Sequence, residues 1–353
     1  MDYLKKAFNG LFGNDIGIDL GTANTLVYVR GKGILINEPS VVAVNEKTGQ
    51  VVAVGVEARN MIGRTPPHIK AIRPLQDGVI SDFEVAEEML AYFIDKAQGD
   101  GRRLFGPRVV IGIPSGITNV ESRAVRDAAI NAGAREVHIV EEPMAGAIGA
   151  KLPIRDPVGT MVIDIGGGTT DIAMISLGGI VASKQSTIAG DTFNRDIVDY
   201  IRDEFKMIIG DKTAEDLKVK VTSLVPTEEA LSMTVRGRDI LTGLPREVVI
   251  TDTHIRSALG PSIESLMEVI REVVEVTPPE VLGDIMQRGA YVFGGGACVR
   301  GLPKMLQSVL GVPVHVVEEP LTAVVRGTGI ITENVKEYKD IVLAHEEDLA
   351  PKT

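Results

Sequence analysis

Residues 16–25 read Ile16-Gly17-Ile18-Asp19-Leu20-Gly21-Thr22-Ala23-Asn24-Thr25, and residues 162–171 repeat the pattern as Val162-Ile163-Asp164-Ile165-Gly166-Gly167-Gly168-Thr169-Thr170-Asp171. Each copy combines a short β-branched run, one aspartate, a glycine-bearing turn and hydroxyl residues. Each then enters a second apolar stretch, Leu26-Val27-Tyr28-Val29 or Ile172-Ala173-Met174-Ile175. The pattern predicts a β-hairpin with a small polar tip. Glycine at such a tip permits positive φ and lets backbone N–H groups approach a phosphate with no Cβ in the way. Gly21 serves the first tip; Gly166, Gly167 and Gly168 serve the second. Thr22, Asn24, Thr169 and Thr170 add side-chain donors. Taken singly, either turn reads as an ordinary glycine-rich corner beside a solvated carboxylate. Taken together, with Asp19 and Asp164 in register, they predict two tips from two halves of one chain closing on a single polyphosphate. Two carboxylates beside a triphosphate suit Mg2+, which keeps most of its waters and needs few protein ligands.

Two other phosphate motifs are excluded. A Walker A loop needs Gly-Lys-Ser/Thr leading into a helix, and the chain has no such run. A dinucleotide fingerprint also needs a helix after its glycines. Here the glycines lead into strands.

The bulk properties set wide bounds. A chain of 353 residues is long for one core, which predicts two domains. With 44% apolar and 24% charged residues it has the make-up of an ordinary folded protein. The single cysteine, Cys298, excludes an internal disulfide and a cysteine-based metal site, and fits a reducing compartment. No apolar run reaches the roughly 20 residues that span a bilayer. The first residues lack an apolar core with a small-residue cleavage site, so no signal peptide is expected. A net charge of −11 argues against broad nucleic-acid binding, but not against a nucleotide held by local backbone dipoles.

Along the chain, strands and helices alternate, which predicts an α/β architecture. Strands are expected at 16–20, 25–30, 34–37 and 41–45, followed by an irregular Gly- and Pro-rich tract over 46–80. Ser81-Asp82-Phe83-Glu84 and Thr118-Asn119-Val120-Glu121 both have the form of a capping box opening a helix. A strand at 108–113 lies between those helices. A strand at 137–140 and a helix from about Pro143 follow. The segment 151–158, with two prolines, is the best boundary. Beyond it, strands are expected at 159–165, 170–176 and 180–187, and helices at 191–208 and 213–224. A polar hairpin near 230–236 and 246–250 leads to helices at 252–275 and 279–287 and a strand at 290–293. Helix 302–310, strand 313–317 and a closing helix at 320–332 precede a polar, acidic tail expected to be loosely held.

Three further groups carry chemistry. Tyr291-Val292-Phe293-Gly294-Gly295-Gly296-Ala297 is a strand followed by a glycine run, where bare backbone would let a flat base lie close to the chain; a tight strand–helix turn is the other reading. Glu215 and Lys218 fall on one helix with Thr222 a turn further, positions that share a face. They form either a solvated ion pair or a ribose contact. Glu142 precedes Pro143 at a helix start, where the helix dipole favours a carboxylate in any case; alternatively Glu142, with Thr169, orients the water that attacks a γ-phosphate. Asp191, after Ala189-Gly190, faces the same terminal phosphate or its metal in this reading.

The two Asp-tipped hairpins, Glu142-Pro143 between them and the late Gly294-Gly295-Gly296 resemble the actin, Hsp70 and sugar-kinase superfamily. Closer still, the chain is similar to the MreB family of bacterial actins along nearly its whole length, from Asn14-Asp15 to Glu333-Asn334. The strings that carry this include Asn37-Glu38-Pro39-Ser40, Val140-Glu141-Glu142-Pro143-Met144-Ala145, Thr277-Pro278-Pro279-Glu280 and Pro320-Leu321-Thr322-Ala323-Val324-Val325-Arg326-Gly327-Thr328-Gly329. The resemblance implies an actin-like ATPase fold: two duplicated, ribonuclease H-like α/β lobes, each with an inserted smaller subdomain. Lobe I would comprise 1–150 plus 320–353 with an insertion at about 31–78, and lobe II 151–319 with an insertion at about 188–250. It also implies ATP or ADP with Mg2+, with Asp19 and Asp164 holding the metal through water in the family pattern, and with Ala23 completing the first phosphate loop. Gly294, Gly295, Gly296 and Ala297, with Glu215, Lys218 and Thr222, would take the nucleoside; Glu142 and Thr169 would be catalytic. Slow hydrolysis would switch head-to-tail polymerisation into paired filaments on the inner face of the cell membrane. These would work with the cell-wall elongation machinery and a RodZ-like membrane adaptor to keep cells rod-shaped. Ala189-Gly190-Asp191-Thr192 departs from the usual Gly-Gly-Asp pattern, which weakens the role of Asp191.

Residues 2–12 can form a short amphipathic helix with Leu4, Phe8, Leu11 and Phe12 on one face, or else a docked or frayed terminus. Leu104 and Phe105 lie in a basic loop. The resemblance makes both features membrane anchors. Two other functions share the fold. A metabolite kinase needs an aspartate base in an acceptor pocket, which the sequence does not offer. An Hsp70-like chaperone needs a substrate domain after the nucleotide module, and only a short tail is expected after 333.

Overall fold

The computed structural model describes residues 13–99 and 105–342. The expected anchors Leu4, Phe8, Leu11, Phe12 and Leu104, and the last part of the acidic tail, lie outside the described residues. The chain divides into two compact units: residues 1–156 with 177–180 and 322–353, and residues 157–176 with 181–321.

The first unit is built on a five-stranded sheet. Ile16–Leu20 lies at its centre, antiparallel to Asn24–Val29 on one side and parallel to Arg108–Ile113 on the other. Gly33–Pro39 and Glu136–Glu141 form the edges. Ile16, Ile18, Val27, Val109 and Ile111 are all fully buried, as expected of central strands covered on both faces. Helix Phe83–Gln98 buries Val85, Ala86, Met89, Leu90, Phe93, Ile94 and Ala97, a stripe with helical spacing, while its other face is charged. Each such fully buried Leu, Met or Phe contributes about 2 kcal/mol. Helix Ala323–Glu333 packs so closely that a Cβ on Gly17 would lie 2.6 Å from Thr328 Oγ1 and 2.8 Å from Gly329 N.

The second unit repeats this plan. Thr160–Ile165 lies at the centre of its sheet, antiparallel to Thr170–Ser176 and parallel to Ala290–Phe293. Gly179–Ser186 and Val314–Val316 are the edges. Strand for strand the two orders coincide: a three-strand antiparallel meander, then a parallel strand beside the first, then a further parallel edge. Helices Gly190–Phe205 and Asp252–Val276 pack in the core of this unit, burying Phe193, Ile197, Ile201, Ile255, Leu259, Ile263 and Leu266. The polar hairpin is present as Ser232–Asp239 and Pro245–Thr251, paired with the short strand Met207–Ile208.

Two expectations are corrected. The tract 46–80 is not irregular: Val51–Val54 and Ile69–Ile72 pair with Val42–Asn45, and a short helix spans Val56–Met61. The small core here is Val41, Ala43, Ala53 and Ala58, supported by Met61, Ile69 and Ala71. Strands of four residues with small side chains, set among Gly and Pro, leave too little periodicity to read. At the helix over 83–98, Asp82 rather than Ser81 is the N-cap, its carboxylate accepting from Val85 N at 3.1 Å. Ser81 Oγ donates instead to Arg73 O at 3.3 Å. The second box forms as expected, Thr118 and Glu121 capping each other's backbone N–H.

Candidate functional site

Both repeated segments are hairpins, and their registers match. In the first, Leu20 pairs with Thr25 and Asp19 with Leu26; in the second, Ile165 pairs with Thr170 and Asp164 with Asp171. Each aspartate thus stands one residue back from the last ladder pair, and each tip has four residues, 21–24 and 166–169.

The first tip is fixed from beneath. Ser40 Oγ donates to Gly21 O at 2.6 Å and lies 2.9 Å from Thr25 Oγ1, while Ser40 N donates to Ala23 O at 3.1 Å. Gly78 N donates to Thr22 Oγ1 at 3.1 Å, which leaves the buried hydroxyl its own proton to give. A Cβ on Gly21 would lie 2.8 Å from Asn24 O, so the loop closes only around glycine. Ala23 and Asn24 at the tip are exposed. Burial pushes the Asp19 carboxyl up to about 7. That is the behaviour of an acid whose charge the surrounding side chains do not neutralise, and a cation is the partner it suits.

Glu142 joins this tip within the first unit. It is the first residue of helix Glu142–Gly149 and is 8% exposed. The strand before it pairs Val140 with Gly112, and Gly112 is also the ladder partner of Asp19. A Cβ on Gly112 would lie 3.6 Å from Glu142 Cγ. Asp19, the tip 21–24 and Glu142 therefore emerge at one end of one sheet. Its neighbour Glu141 is raised by burial, against a lowering hydrogen bond from Ser115.

The second tip is stitched to a helix. Gly166 N donates to Thr169 O at 2.8 Å, closing the turn. Gly190 N donates to Gly166 O at 3.2 Å and Asp191 N to Gly167 O at 2.7 Å, so the start of helix Gly190–Phe205 fixes two peptide planes of the loop. Thr170 Oγ1 donates to Ile188 O at 2.7 Å, and Lys218 Nζ donates to Gly190 O at 3.0 Å. Asp164 and Thr169 are 5% and 6% exposed.

The glycine run after strand Ala290–Phe293 meets this tip. At Gly294, with φ +79°, a Cβ would collide with Asp164 Oδ1 and lie 2.7 Å from the Ile165 carbonyl carbon. At Gly296 it would lie 2.5 Å from Ile165 Cβ. The bare backbone expected for a base site thus sits directly against the aspartate of the hairpin. Gly295 through Cys298 form a 3-10 turn before helix Leu302–Leu310.

Glu215 and Lys218 lie on helix Asp211–Val221 and form an ion pair at 2.7 Å, with Asn194 Nδ2 donating to the same Glu215 oxygen at 2.8 Å. Lys218 therefore ties its helix to the loop at Gly190. Thr222 departs from the expected shared face: the helix ends at Val221, Thr222 turns to extended backbone, and its side chain is 2% exposed. Sequence reasoning assigned no role to Ser40, Gly78, Gly112 or Gly190, which shape the two tips. Their work is done by backbone and by contacts distant in sequence, which no local pattern announces. Of the anchors, Phe105 is 51% exposed, and its carbonyl accepts from Gly13 N at 2.8 Å. Among the described residues, no helix is long and apolar enough to cross a membrane.

Known proteins match this arrangement over most of the chain. The MreB/Mbl protein family model matches residues 13–340. The cell shape-determining protein Mbl of Bacillus subtilis is 49% identical over 326 residues, covering 92% of this chain and 97% of that protein. The cell shape-determining protein MreB of Escherichia coli is 46% identical over 334 residues, covering 94% and 96%. Among solved structures, MreB5 of Spiroplasma citri bound to AMPPNP superposes with a TM-score of 0.87 at 40% identity, covering 93% of this chain and 98% of that one; the same protein has also been solved bound to ADP. The MamK double helical filament, 24% identical with a TM-score of 0.77, shares the fold. With duplicated α/β sheets, paired Asp-bearing hairpins and near full-length similarity to these cell shape-determining proteins, the chain belongs to the MreB/Mbl family of actin-like proteins.

Proposed function

We propose that this chain is a slow ATPase whose nucleotide state governs its assembly into filaments on the inner face of the cell membrane, where they organise wall synthesis and keep cells rod-shaped. The observation that carries the reading is the matched register of Asp19 and Asp164 in two hairpins at corresponding places in two like sheets. In this reading 1–150 with 320–353 form lobe I and 151–319 form lobe II, and both tips serve one Mg2+·ATP. Gly21 to Asn24 and Gly166 to Thr169 bind the phosphates through backbone N–H groups and hydroxyls. Asp19 and Asp164 would hold Mg2+, a fit supported by the raised, unneutralised Asp19 carboxyl. The metal, when bound, offsets negative charge on the β- and γ-phosphates. Gly294 to Ala297 leave room for the base, and Glu215, Lys218 and Thr222 border the nucleoside. Glu142, with Thr169, accepts a proton-side hydrogen bond from the attacking water and aligns it with the γ-phosphorus. The nucleotide-bound relatives at 40% identity support the ligand class. Self-association is in keeping with the family. The residue 2–12 segment with Leu104 and Phe105 supplies the membrane contact, and the elongation machinery and a RodZ-like adaptor are the expected partners.

The test combines light scattering with phosphate release. Purified protein with ATP, Mg2+ and a lipid layer should scatter and form filaments visible by electron microscopy. Asp164→Asn should lose fluorescent-nucleotide binding, and Glu142→Ala should bind nucleotide yet release phosphate about 100-fold more slowly. Wild-type affinity in Asp164→Asn, or wild-type phosphate release in Glu142→Ala, would refute the assignment.

A further inference from the structure

Strand Gly33–Pro39 stops at a proline, which has no N–H to continue the ladder. Val41 N then donates to Pro39 O at 2.9 Å, a tight turn centred on Ser40. The turn presents both the hydroxyl and the amide of Ser40 to the tip 21–24, where the residue is fully buried. Ser40 Oγ donates to Gly21 O at 2.6 Å, and Ser40 N donates to Ala23 O at 3.1 Å. Thr25 Oγ1, on a residue that is also fully buried, lies 2.9 Å from Ser40 Oγ. A hydroxyl has one proton to give, and Ser40 gives its own to Gly21 O. Thr25 is therefore the donor to Ser40. The result is a relay from Thr25 through Ser40 to the carbonyl of Gly21.

The two tied carbonyls fix where the amides of the tip point. Every peptide bond among the described residues is trans, so each C=O points opposite to the N–H of the next residue. Gly21 O is held toward Ser40, so Thr22 N–H faces away from it. Ala23 O is held toward Ser40 as well, so Asn24 N–H also faces away. One residue thus sets two of the three peptide planes inside the tip. The second tip follows the same rule by other means. Gly166 O and Gly167 O are tied to Gly190 N and Asp191 N, which turns the N–H groups of Gly167 and Gly168 away from that helix. There backbone does the tying, and no side chain can be removed to undo it. In the first tip a single hydroxyl holds the Gly21 carbonyl.

We infer that Ser40 is a positioning residue for phosphate binding: its hydroxyl, backed by Thr25, keeps the amides of the first tip aimed at the phosphates of the nucleotide. The inference rests on the nucleotide reading above and names a residue through which that reading operates. Ser40 acts through the loop. Without its hydroxyl the Gly21 carbonyl loses its partner, and the plane that carries Thr22 N–H is no longer fixed. Backbone donors bind an anion best when they are already aimed, because no ordering cost is then paid on binding.

The experiment measures the affinities of the full chain for Mg2+·ATP and for adenosine, by displacement of a fluorescent ATP analogue, with circular dichroism melts to verify folding. Adenosine has the base and ribose but no phosphate, so a defect confined to the phosphate loop spares it. Ser40→Ala should weaken ATP about tenfold and leave adenosine unchanged. Thr25→Val keeps the shape of the side chain but removes the donor behind Ser40. It should weaken ATP about threefold, whereas Thr25→Ser, which keeps the hydroxyl, should bind as wild type does. Combining Ser40→Ala with Thr25→Val should weaken ATP no further than Ser40→Ala alone, because Thr25 acts through Ser40. Wild-type ATP affinity in folded Ser40→Ala overturns the inference. An equal loss for adenosine also overturns it, since Ser40 would then be a general support of the fold. If Ser40→Ala does not fold, Thr25→Val decides, and wild-type ATP affinity there overturns the inference. Wild type that binds neither ATP nor adenosine overturns the nucleotide reading itself, whatever the variants do.

Discussion

Replacing Gly327 by alanine sets two well-understood effects against each other. Gly327 lies inside helix Ala323–Glu333, which packs on helix Glu142–Gly149, all eight residues of which are buried. Helix propensity alone favours alanine by about 1 kcal/mol. The contact opposes it. A Cβ on Gly327 would lie 2.5 Å from the Ala145 carbonyl carbon, 3.0 Å from Ala145 Cα and closer still to the Ala145 oxygen. The approach is reciprocal: a Cβ on Gly149 would lie 2.8 Å from Gly327 N and 2.9 Å from the Ala323 carbonyl carbon. These obstacles are backbone, so no side chain can swing aside, and the two helices must separate by about 1 Å. Overpacking of this kind costs about 3 kcal/mol. After the propensity gain the net loss is about 2 kcal/mol, which lowers Tm by about 4–8 °C for a unit of this size. Gly283→Ala is the control: it sits in helix Pro279–Arg288 and a Cβ there meets nothing within 4 Å. It should raise Tm by about 2 °C. Circular dichroism melts of the two variants decide the matter. On the proposed role of Glu142, the first residue of helix Glu142–Gly149, displacement of that helix should also slow the proposed ATP hydrolysis by about 100-fold, with nucleotide binding little changed. A Gly327→Ala protein as stable as wild type would show that the packing argument is wrong.

Asp15→Asn should destabilise the protein at pH 7 by about 3 kcal/mol, since it strips a partly buried carboxylate from Arg30, Arg108 and Arg135. The Asp15 carboxyl is held below its ordinary value, so its contribution is complete above about pH 4 and fades as pH falls through the lower folded value; urea midpoints of the two proteins should converge in acid. Asp19 has the opposite sign. Burial raises it to about 7, so the folded nucleotide-free protein holds that proton more tightly than the unfolded chain, and stability declines from about pH 4 to pH 7. Asp19→Asn should therefore be more stable than wild type at pH 8 without nucleotide, by at most roughly 4 kcal/mol, while losing Mg2+·nucleotide affinity; a less stable variant at pH 8 would contradict the burial argument. Gly296→Ala should push against Ile165 and weaken nucleotide binding at least tenfold by fluorescence titration, an effect of about 1.4 kcal/mol, and equal affinity would remove Gly296 from the site.

Much of this was legible because the informative features are local. The hairpins announced themselves through a β-branched run, an aspartate and glycines within ten residues, and Thr118 with Glu121 announced a helix start at fixed spacing. The near-continuous apolar runs at 108–113 and 160–165 read as central strands because strands covered on both faces lose their alternation. The actin-like identity was also legible, carried by strings spread along the whole chain. What escaped depends on distance in sequence. Ser40 supports Gly21 across the sheet, and nothing around Ser40 indicates which carbonyl its hydroxyl will meet. The small sheet of 42–45, 51–54 and 69–72 relies on alanines and four-residue strands, which carry little periodic signal. Thr222 was placed by helical arithmetic on a helix that stops one residue earlier.

The two peptide hydrogen bonds that join Gly166 and Gly167 to the amides of Gly190 and Asp191 have a mechanical consequence. A loop welded to a helix in this way does not rearrange alone at no cost, because breaking both bonds forfeits about 1 kcal/mol each. It moves instead with the 16 residues of Gly190–Phe205, a stiff rod about 24 Å long. A small shift where the phosphates would sit is thereby converted into a displacement at the rod's far end, beside Lys206, Met207 and the outer hairpin. The second unit is built as a lever whose short arm is the glycine loop.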